Sequence, residues 1–221
     1  MADNTLVLPE GLFLTETDEG LTLTDGNLTM SGDFTKMLPR LKQGNLEREL
    51  LVKTARIKGI DHVPVVVDAT AGMGEDSLLL AAAGFKVKLF EYDQVIAALL
   101  QDTLKRSIDI AELSEAVSRM EFVSGDSIQG MKNMTDAVDV VYLDPMFPER
   151  QKSGLIKKKF QLLQQLERPC SDEDALLEAA MSLHPKKIVI KRPLKGPFLA
   201  GKKPSYSTSG KAIRYDCIVL S

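Results

Sequence analysis

The chain has only two cysteines, Cys170 and Cys217, far apart and without C-x-x-C spacing. Neither a disulfide framework nor a zinc site is built from such a pair. The two histidines, His62 and His184, have no sequence neighbours that suggest a metal or a proton relay, so both read as structural and no metal is expected. No apolar run reaches the roughly 18 residues of a membrane-spanning helix. Met1–Glu10 lacks the basic start and apolar centre of a secretory leader, so the expected location is cytoplasmic. Internal repeats and low-complexity tracts are absent as well. What remains is a chain of 221 residues, 44% hydrophobic and 27% charged. That is the composition of a soluble globular protein, long enough for one main domain and a small appendage.

Acids are also scarce in one place. Residues 1–144 carry 13 Lys and Arg against 24 Asp and Glu, a balance of −11, whereas residues 145–221 carry 15 against 7, a balance of +8. A solvated face neutralised by the acidic half would explain this split, and so would contact with a polyanion, nucleic acid first among them.

The chain is organised around Val65-Val66-Val67-Asp68-Ala69-Thr70-Ala71-Gly72-Met73-Gly74-Glu75-Asp76. A β-branched apolar run ends at an acid, passes through small residues and two glycines, and enters an amphipathic segment. The order predicts a buried strand, a tight turn and a helix start. Gly72 and Gly74 leave room for a ligand against the backbone, and the helix offers it free N–H groups. The third glycine of G-x-G-x-x-G is missing, and Glu75 and Asp76 put carboxylates where a pyrophosphate would sit. A cationic or zwitterionic ligand suits the turn better, and S-adenosylmethionine carries a sulfonium, an ammonium and a carboxylate but no phosphate.

Residues 5–34 alternate apolar and polar around two turn sequences, Asp18-Glu19-Gly20 and Asp25-Gly26-Asn27, and predict a small β-meander. Residues 35–44 read as a linker, and Asn45 as the cap of a helix running to Lys58. The divisions expected are therefore 1–34, 35–62 and 63–221. From Val63 strands and helices alternate: strands at 63–68, 85–91, 120–123, 137–143 and 188–190, a helix at 94–108, a helix at 172–183 capped by Ser171, a mobile loop over 196–210 and a last strand at 213–220. This pattern predicts an α/β fold, a parallel Rossmann-like sheet with helices on both faces. Ligands of such sheets sit beyond the carboxyl ends of the strands, where this chain has Asp68, Glu91, Asp126 and Asp144. Glu91 is placed to accept from two ribose hydroxyls. Asp126 and Ser127 are placed to meet an adenine, or else to cap a helix.

The second informative stretch is Asp144-Pro145-Met146-Phe147-Pro148. It resembles the D-P-P-Y/F motif of methyltransferases acting on planar exocyclic amino groups. The lone pair of such an amine is delocalised into its ring. Asp144 and the Pro145 carbonyl, both accepting from the NH2, would hold it in line with a sulfonium methyl, and Phe147 would stack on a flipped base. Arg150, Lys152, Lys157, Lys158 and Lys159 follow as a basic run, and Lys191 and Arg192 end the fifth strand. All seven read as phosphate contacts.

Taken together, D-A-T-A-G-M-G-E-D, F-E-Y-D-Q-V-I-A-A-L-L, V-V-Y-L-D-P-M-F-P-E-R-Q-K-S and I-V-I-K-R-P resemble the ribosomal RNA small subunit methyltransferase J family, over roughly residues 33–221. The resemblance implies an S-adenosylmethionine-dependent enzyme that methylates guanine N2 in 16S rRNA, with naked RNA or the small subunit as its partner. It implies cofactor contacts at Glu75, Asp76, Glu91, Tyr92, Asp126, Ser127 and Asp144. The family often carries other residues where this chain has Glu75 and Tyr92. Read from the residues alone, an N6-adenine or other amino-group methyltransferase uses the same D-P-x-F logic. An NAD-dependent oxidoreductase shares the fold and Glu91, and an RNA chaperone without chemistry shares the charge pattern.

Overall fold

The computed structural model describes residues 8–145 and 172–220, together with Leu6, Leu162, Gln165, Leu166 and Cys170. Three short strands open the chain: β1 (Phe13–Thr17), β2 (Gly20–Thr24) and β3 (Thr29–Ser31), an antiparallel meander in that order. The β2–β3 turn is held by Asp25, whose Oδ1 accepts from the N–H groups of Asn27 (2.9 Å) and Leu28 (2.7 Å). The meander buries Leu12, Leu23 and Met30 with Val95, Ile96 and Leu99.

Residues 34–55 differ from the expected linker and single helix. A 3-10 turn (Phe34–Met37) leads into α1 (Leu38–Leu41), α2 (Gln43–Leu46) and α3 (Leu50–Ala55). Phe34 and Met37 are buried in the core, so this segment packs rather than links. Asn45 caps nothing, because its side-chain N–H donates to the Pro39 carbonyl at 2.8 Å. The helix breaks where Glu49 turns extended (φ −58°, ψ 126°) and stops at Arg56 (φ −57°, ψ 136°).

The remainder follows the alternating pattern. The strands are β4 (Val65–Asp68), β5 (Lys86–Glu91), β6 (Met120–Ser124), β7 (Val140–Leu143), β8 (Lys187–Pro193), β9 (Tyr206–Ser209) and β10 (Ile213–Val219). The helices are α4 (Glu75–Ala82), α5 (Gln94–Ser107), α6 (Ala111–Val117), α7 (Ser127–Asn133) and α8 (Glu173–Ser182). Side-chain caps start three of them. Asp93 accepts from Val95 and Ile96 at the head of α5, Asp126 from Ile128 at α7, and Asp172 from Ala175 at α8, while Ser171, the expected cap, lies outside the described residues. Each such cap contributes about 1 kcal/mol.

The strands form a seven-stranded sheet in the order β6-β5-β4-β7-β8-β10-β9. Pairing is parallel from β6 to β8, and β10 runs antiparallel to both β8 and β9. The expected loop at 196–210 contains β9 and a 3-10 turn (Leu199–Gly201), so that stretch forms the sheet's edge. The central strands are buried on both sides. One face packs Val66, Val87, Leu89 and Val140 on Leu51, Leu78, Leu79 and Leu113, and the other packs Val67, Val141, Ile188 and Ile190 on Leu176, Leu177 and Ala180. Each such side chain removed from water contributes about 1.5–3 kcal/mol. β4 is where the order reverses, with β5 on one side and β7 on the other. Crevices for ligands open at that point.

Candidate active site

The turn after β4 is built by two glycines with different reasons for being glycine. Gly74 has φ 76°, and a Cβ there would lie 2.7 Å from Leu100 Cδ1, so packing and backbone both require it. Gly72, at φ 54°, has nothing within 4 Å of the place a Cβ would take. Only Gly72 therefore leaves open space beside the backbone. Its N–H donates to Glu91 Oε2 at 2.8 Å, while Asp93 N–H donates to Oε1 at 2.8 Å. Each oxygen keeps a second acceptor position. Burial pushes the Glu91 carboxyl up against these bonds, which pull it down.

Asp68 ends β4 and is 1% exposed. Its Oδ2 accepts from Ser77 Oγ at 2.6 Å and its Oδ1 from Thr70 N–H at 3.0 Å. Burial, with Asp76 and Asp144 nearby, pushes its pKa up to about 7 against those two bonds. Thr70 also ties the next turn, since its Oγ1 accepts from Asp144 N–H at 2.6 Å.

The register of β7 and β8 pairs Leu143 with Ile190, which sets Asp144 beside Lys191. Lys191 Nζ lies 2.9 Å from Asp144 Oδ2 and 2.7 Å from Asp76 Oδ2. Asp76 Oδ2 also accepts from Tyr142 OH at 2.6 Å. Burial opposes ionisation of Asp76, but Lys191 and Tyr142 outweigh it and hold its carboxyl below the usual range. Desolvation likewise disfavours the Lys191 ammonium, but Asp144 and Asp76 hold its pKa above the ordinary lysine value.

The structure thus gathers Asp68, Gly72, Asp76 and Asp144 around the end of β4, with Glu91 bonded to the Gly72 N–H. Glu75 is exposed on the first turn of α4, and Tyr92 is 68% exposed. Asp126 serves as the cap of α7, and Ser127 is that helix's first residue. Pro145 is buried. Phe147, Arg150, Lys152, Lys157, Lys158 and Lys159 lie outside the described residues.

Two expectations are corrected. Lys191 does not face a surface phosphate, because two carboxylates hold it in the site. Arg192 is 1% exposed and donates to Glu173 Oε1 at 2.9 Å, so it ties β8 to the start of α8. His62 pairs with Asp139 (3.0 Å) at the other end of β7.

Residues 9–220 match the model of the family described as "Putative SAM-dependent methyltransferase". The ribosomal RNA small subunit methyltransferase J of Hahella chejuensis is 40% identical over 181 residues, 82% of this chain and 68% of that protein. The protein of the same name from Pseudomonas savastanoi is 44% identical over 154 residues, 69% of this chain and 57% of that one.

The chain belongs to the ribosomal RNA small subunit methyltransferase J family.

It spans 57 to 68% of the length of those two relatives of the family. The crystal structure of a SAM-dependent methyltransferase from Neisseria gonorrhoeae superposes with a TM-score of 0.76 at 30% identity, covering 97% of this chain and 85% of that one. An rRNA methyltransferase from Streptomyces viridochromogenes shares the fold alone, with a TM-score of 0.52 at 15% identity, 80% of this chain and 85% of that one being covered.

As a member of this methyltransferase family the chain is an enzyme, and S-adenosylmethionine is its cofactor. The residues present suit that cofactor. Glu91 retains acceptor positions for two hydroxyls, Gly72 leaves open space beside them, and the carboxylates of Asp68, Asp76 and Asp144 favour a ligand bearing positive charge. Among the described residues, no group of three or more His, Cys, Asp and Glu could hold a metal, and no helix is long and apolar enough to cross a membrane. Sequence reasoning missed Thr70, Ser77 and Tyr142 here. A threonine before the two glycines, a serine after them, and a tyrosine within a buried strand carry no spacing signal. Only register and turn geometry bring them to the acids.

Proposed function

We propose that this enzyme methylates the exocyclic N2 of a guanosine in 16S ribosomal RNA, in the cytoplasm, with Asp144, Pro145 and Phe147 holding the base. Bound S-adenosylmethionine supplies an electrophilic methyl group on a sulfonium. Glu91 would accept from the ribose hydroxyls, and Gly72 would give the nucleoside room against the backbone. Asp68 and Asp76 would balance the cofactor's positive charge, with Glu75, Tyr92, Asp126 and Ser127 along its edge. Asp144 and the Pro145 carbonyl would accept from the amine and turn its lone pair toward the methyl. Asp144 or water would take the proton that the nitrogen gives up on being methylated. No strong base is needed beforehand, because positioning supplies the rate.

The observation that carries this reading is the setting of Asp144. Thr70 fixes its backbone and Lys191 its side chain, and it stands beside Asp68 at the reversal of the sheet. The name these relatives share supports a small-subunit RNA substrate. The basic run at 150–159 is proposed to meet RNA phosphates. Lys195, Lys202, Lys203 and Lys211, all exposed around the β8–β10 edge, join them.

The deciding experiment measures labelled methyl transfer from S-adenosylmethionine to small-subunit RNA from cells lacking the protein. Small subunits, naked RNA and DNA are compared, and products are identified by nucleoside mass spectrometry. N2-methylguanosine is expected. N6-methyladenosine would move the acceptor to adenine, and no label beside measurable cofactor binding would overturn the nucleic-acid reading.

A further inference from the structure

We infer that Lys191 is a positioning residue for methyl transfer, its ammonium locking the Asp144 carboxylate to helix α4 in the orientation that meets the acceptor amine. This rests on the role given to Asp144 above.

The geometry separates Lys191 from an ordinary surface lysine. Its side chain is 20% exposed, and its ammonium is shared by Asp76 at 2.7 Å and Asp144 at 2.9 Å. These acids belong to different elements, α4 and the loop after β7, while Lys191 stands on β8. One charge therefore ties three elements that meet around the end of β4. Asp76 is itself fixed from a second direction by Tyr142 OH at 2.6 Å. The chain of contacts Tyr142–Asp76–Lys191–Asp144 leaves Asp144 Oδ2 held at 2.9 Å, while its backbone N–H is held by Thr70 Oγ1 at 2.6 Å. A carboxylate anchored at both its backbone and one oxygen presents a defined direction to an amine. Orientation of this kind governs rate, since a displacement of about 1 Å can cost about a hundredfold.

The alternatives make different demands. A phosphate-binding lysine would have to leave two carboxylates. A lysine that binds the cofactor's carboxylate would affect cofactor affinity. A mere staple between strand and helix would affect stability, leaving the chemical step and its pH dependence alone. The groups facing the ammonium and its partners are Asp76 and Glu75 from α4, Asp144 and Tyr142 from β7 and its loop, Asp68 from β4, Tyr215 from β10 and Arg40 from α1. With acids prevailing in that set, loss of the ammonium favours proton uptake by Asp76 and Asp144, so activity should fail at a higher pH than in the wild type.

The test compares Lys191→Met, Lys191→Arg and Asp144→Asn, using unmethylated small-subunit RNA and S-adenosylmethionine. Steady-state kinetics, cofactor titration, urea unfolding and a kcat–pH profile are read for each. Lys191→Met should lose about a hundredfold in kcat at saturating substrates, keep its cofactor Kd within about twofold, and move the acid limb of the profile upward. Lys191→Arg, which retains the charge, should recover at least about tenfold of that loss and return the limb. The inference is overturned by a wild-type kcat in Lys191→Met, by a loss confined to cofactor Kd or RNA KM, or by an arginine variant no better than methionine. If Lys191→Met does not fold, Lys191→Gln carries the same test. A fully active Asp144→Asn would refute the assignment of Asp144 itself. An inactive Asp144→Asn beside a wild-type-like Lys191→Met would refute only the role of Lys191.

Discussion

Asp68→Asn should make the cofactor-free protein more stable at alkaline pH, although it alters a site residue. The folded carboxyl is pushed up to about 7 from an ordinary 3.8, chiefly by burial, with Asp76 and Asp144 adding to it. A folded pKa above the unfolded one means that the native chain keeps a proton the unfolded chain has released. Stability therefore falls as pH rises from about 4 to about 7, and the full loss persists above that window. About three pKa units at about 1.36 kcal/mol each make that loss roughly 4 kcal/mol. Asparagine removes the charge and can keep both local bonds. Its carbonyl accepts from Thr70 N–H in place of Oδ1, and its amide donates to Ser77 Oγ in place of accepting. Urea unfolding of both proteins at several values between about pH 4 and pH 8 gives the difference directly. The other carboxylates with shifted values, such as Asp33, Asp76 and Asp139, cancel to first order in that difference. The variant's advantage should be near zero at the acid end and grow toward roughly 4 kcal/mol at the alkaline end. Parallel curves would refute the reasoning. S-adenosylmethionine, through its ammonium, should stabilise the wild type more at pH 8 than at pH 5 and the variant little at either.

Other outcomes follow from single features. Gly74→Ala should cost about 2–4 kcal/mol in urea unfolding, from left-handed strain and the Leu100 clash together. Gly72→Ala, with open space around it, should cost only about 1–2 kcal/mol while weakening cofactor binding. Asp216→Ala leaves Arg214, whose guanidinium is bonded to Asp216 at 2.9 Å in a buried pair, without its counter-charge. That variant should lose about 3–5 kcal/mol, and adding Arg214→Met should return part of it. Replacing Lys195, Lys202, Lys203 and Lys211 by Ala should reduce the salt slope of RNA binding by about 0.7 for each lysine that meets a phosphate. An unchanged slope would place the RNA elsewhere.

The strand-to-helix order from Val65 onward was legible because periodicity is local. Three valines ending at Asp68 can hardly be anything but a buried strand. Residues 34–55 were not legible in that way. Lys36, Arg40 and Lys42 look solvated, but Phe34 and Met37 turn the segment into the core, and only the tertiary fold supplies the surface they bury against. β9 escaped because Tyr206-Ser207-Thr208-Ser209 has no apolar alternation of its own and exists as a strand through its pairing with β10.

Within the site, the sequence determined which acids stand at strand ends, since one residue after a hydrophobic run is fixed by chain order alone. It also determined the methyltransferase motifs, which are contiguous. The tertiary structure decided the state of those acids. Proton affinity and orientation depend on what approaches through space, and register across β4, β7 and β8 is not written in any one segment. It set Lys191 between Asp76 and Asp144, 115 and 47 positions away in the chain, and turned a lysine read as a phosphate contact into part of the acidic cluster at the end of β4. It buried Asp68 beside the same two carboxylates, so an acid that the sequence could only place became one that titrates near neutrality.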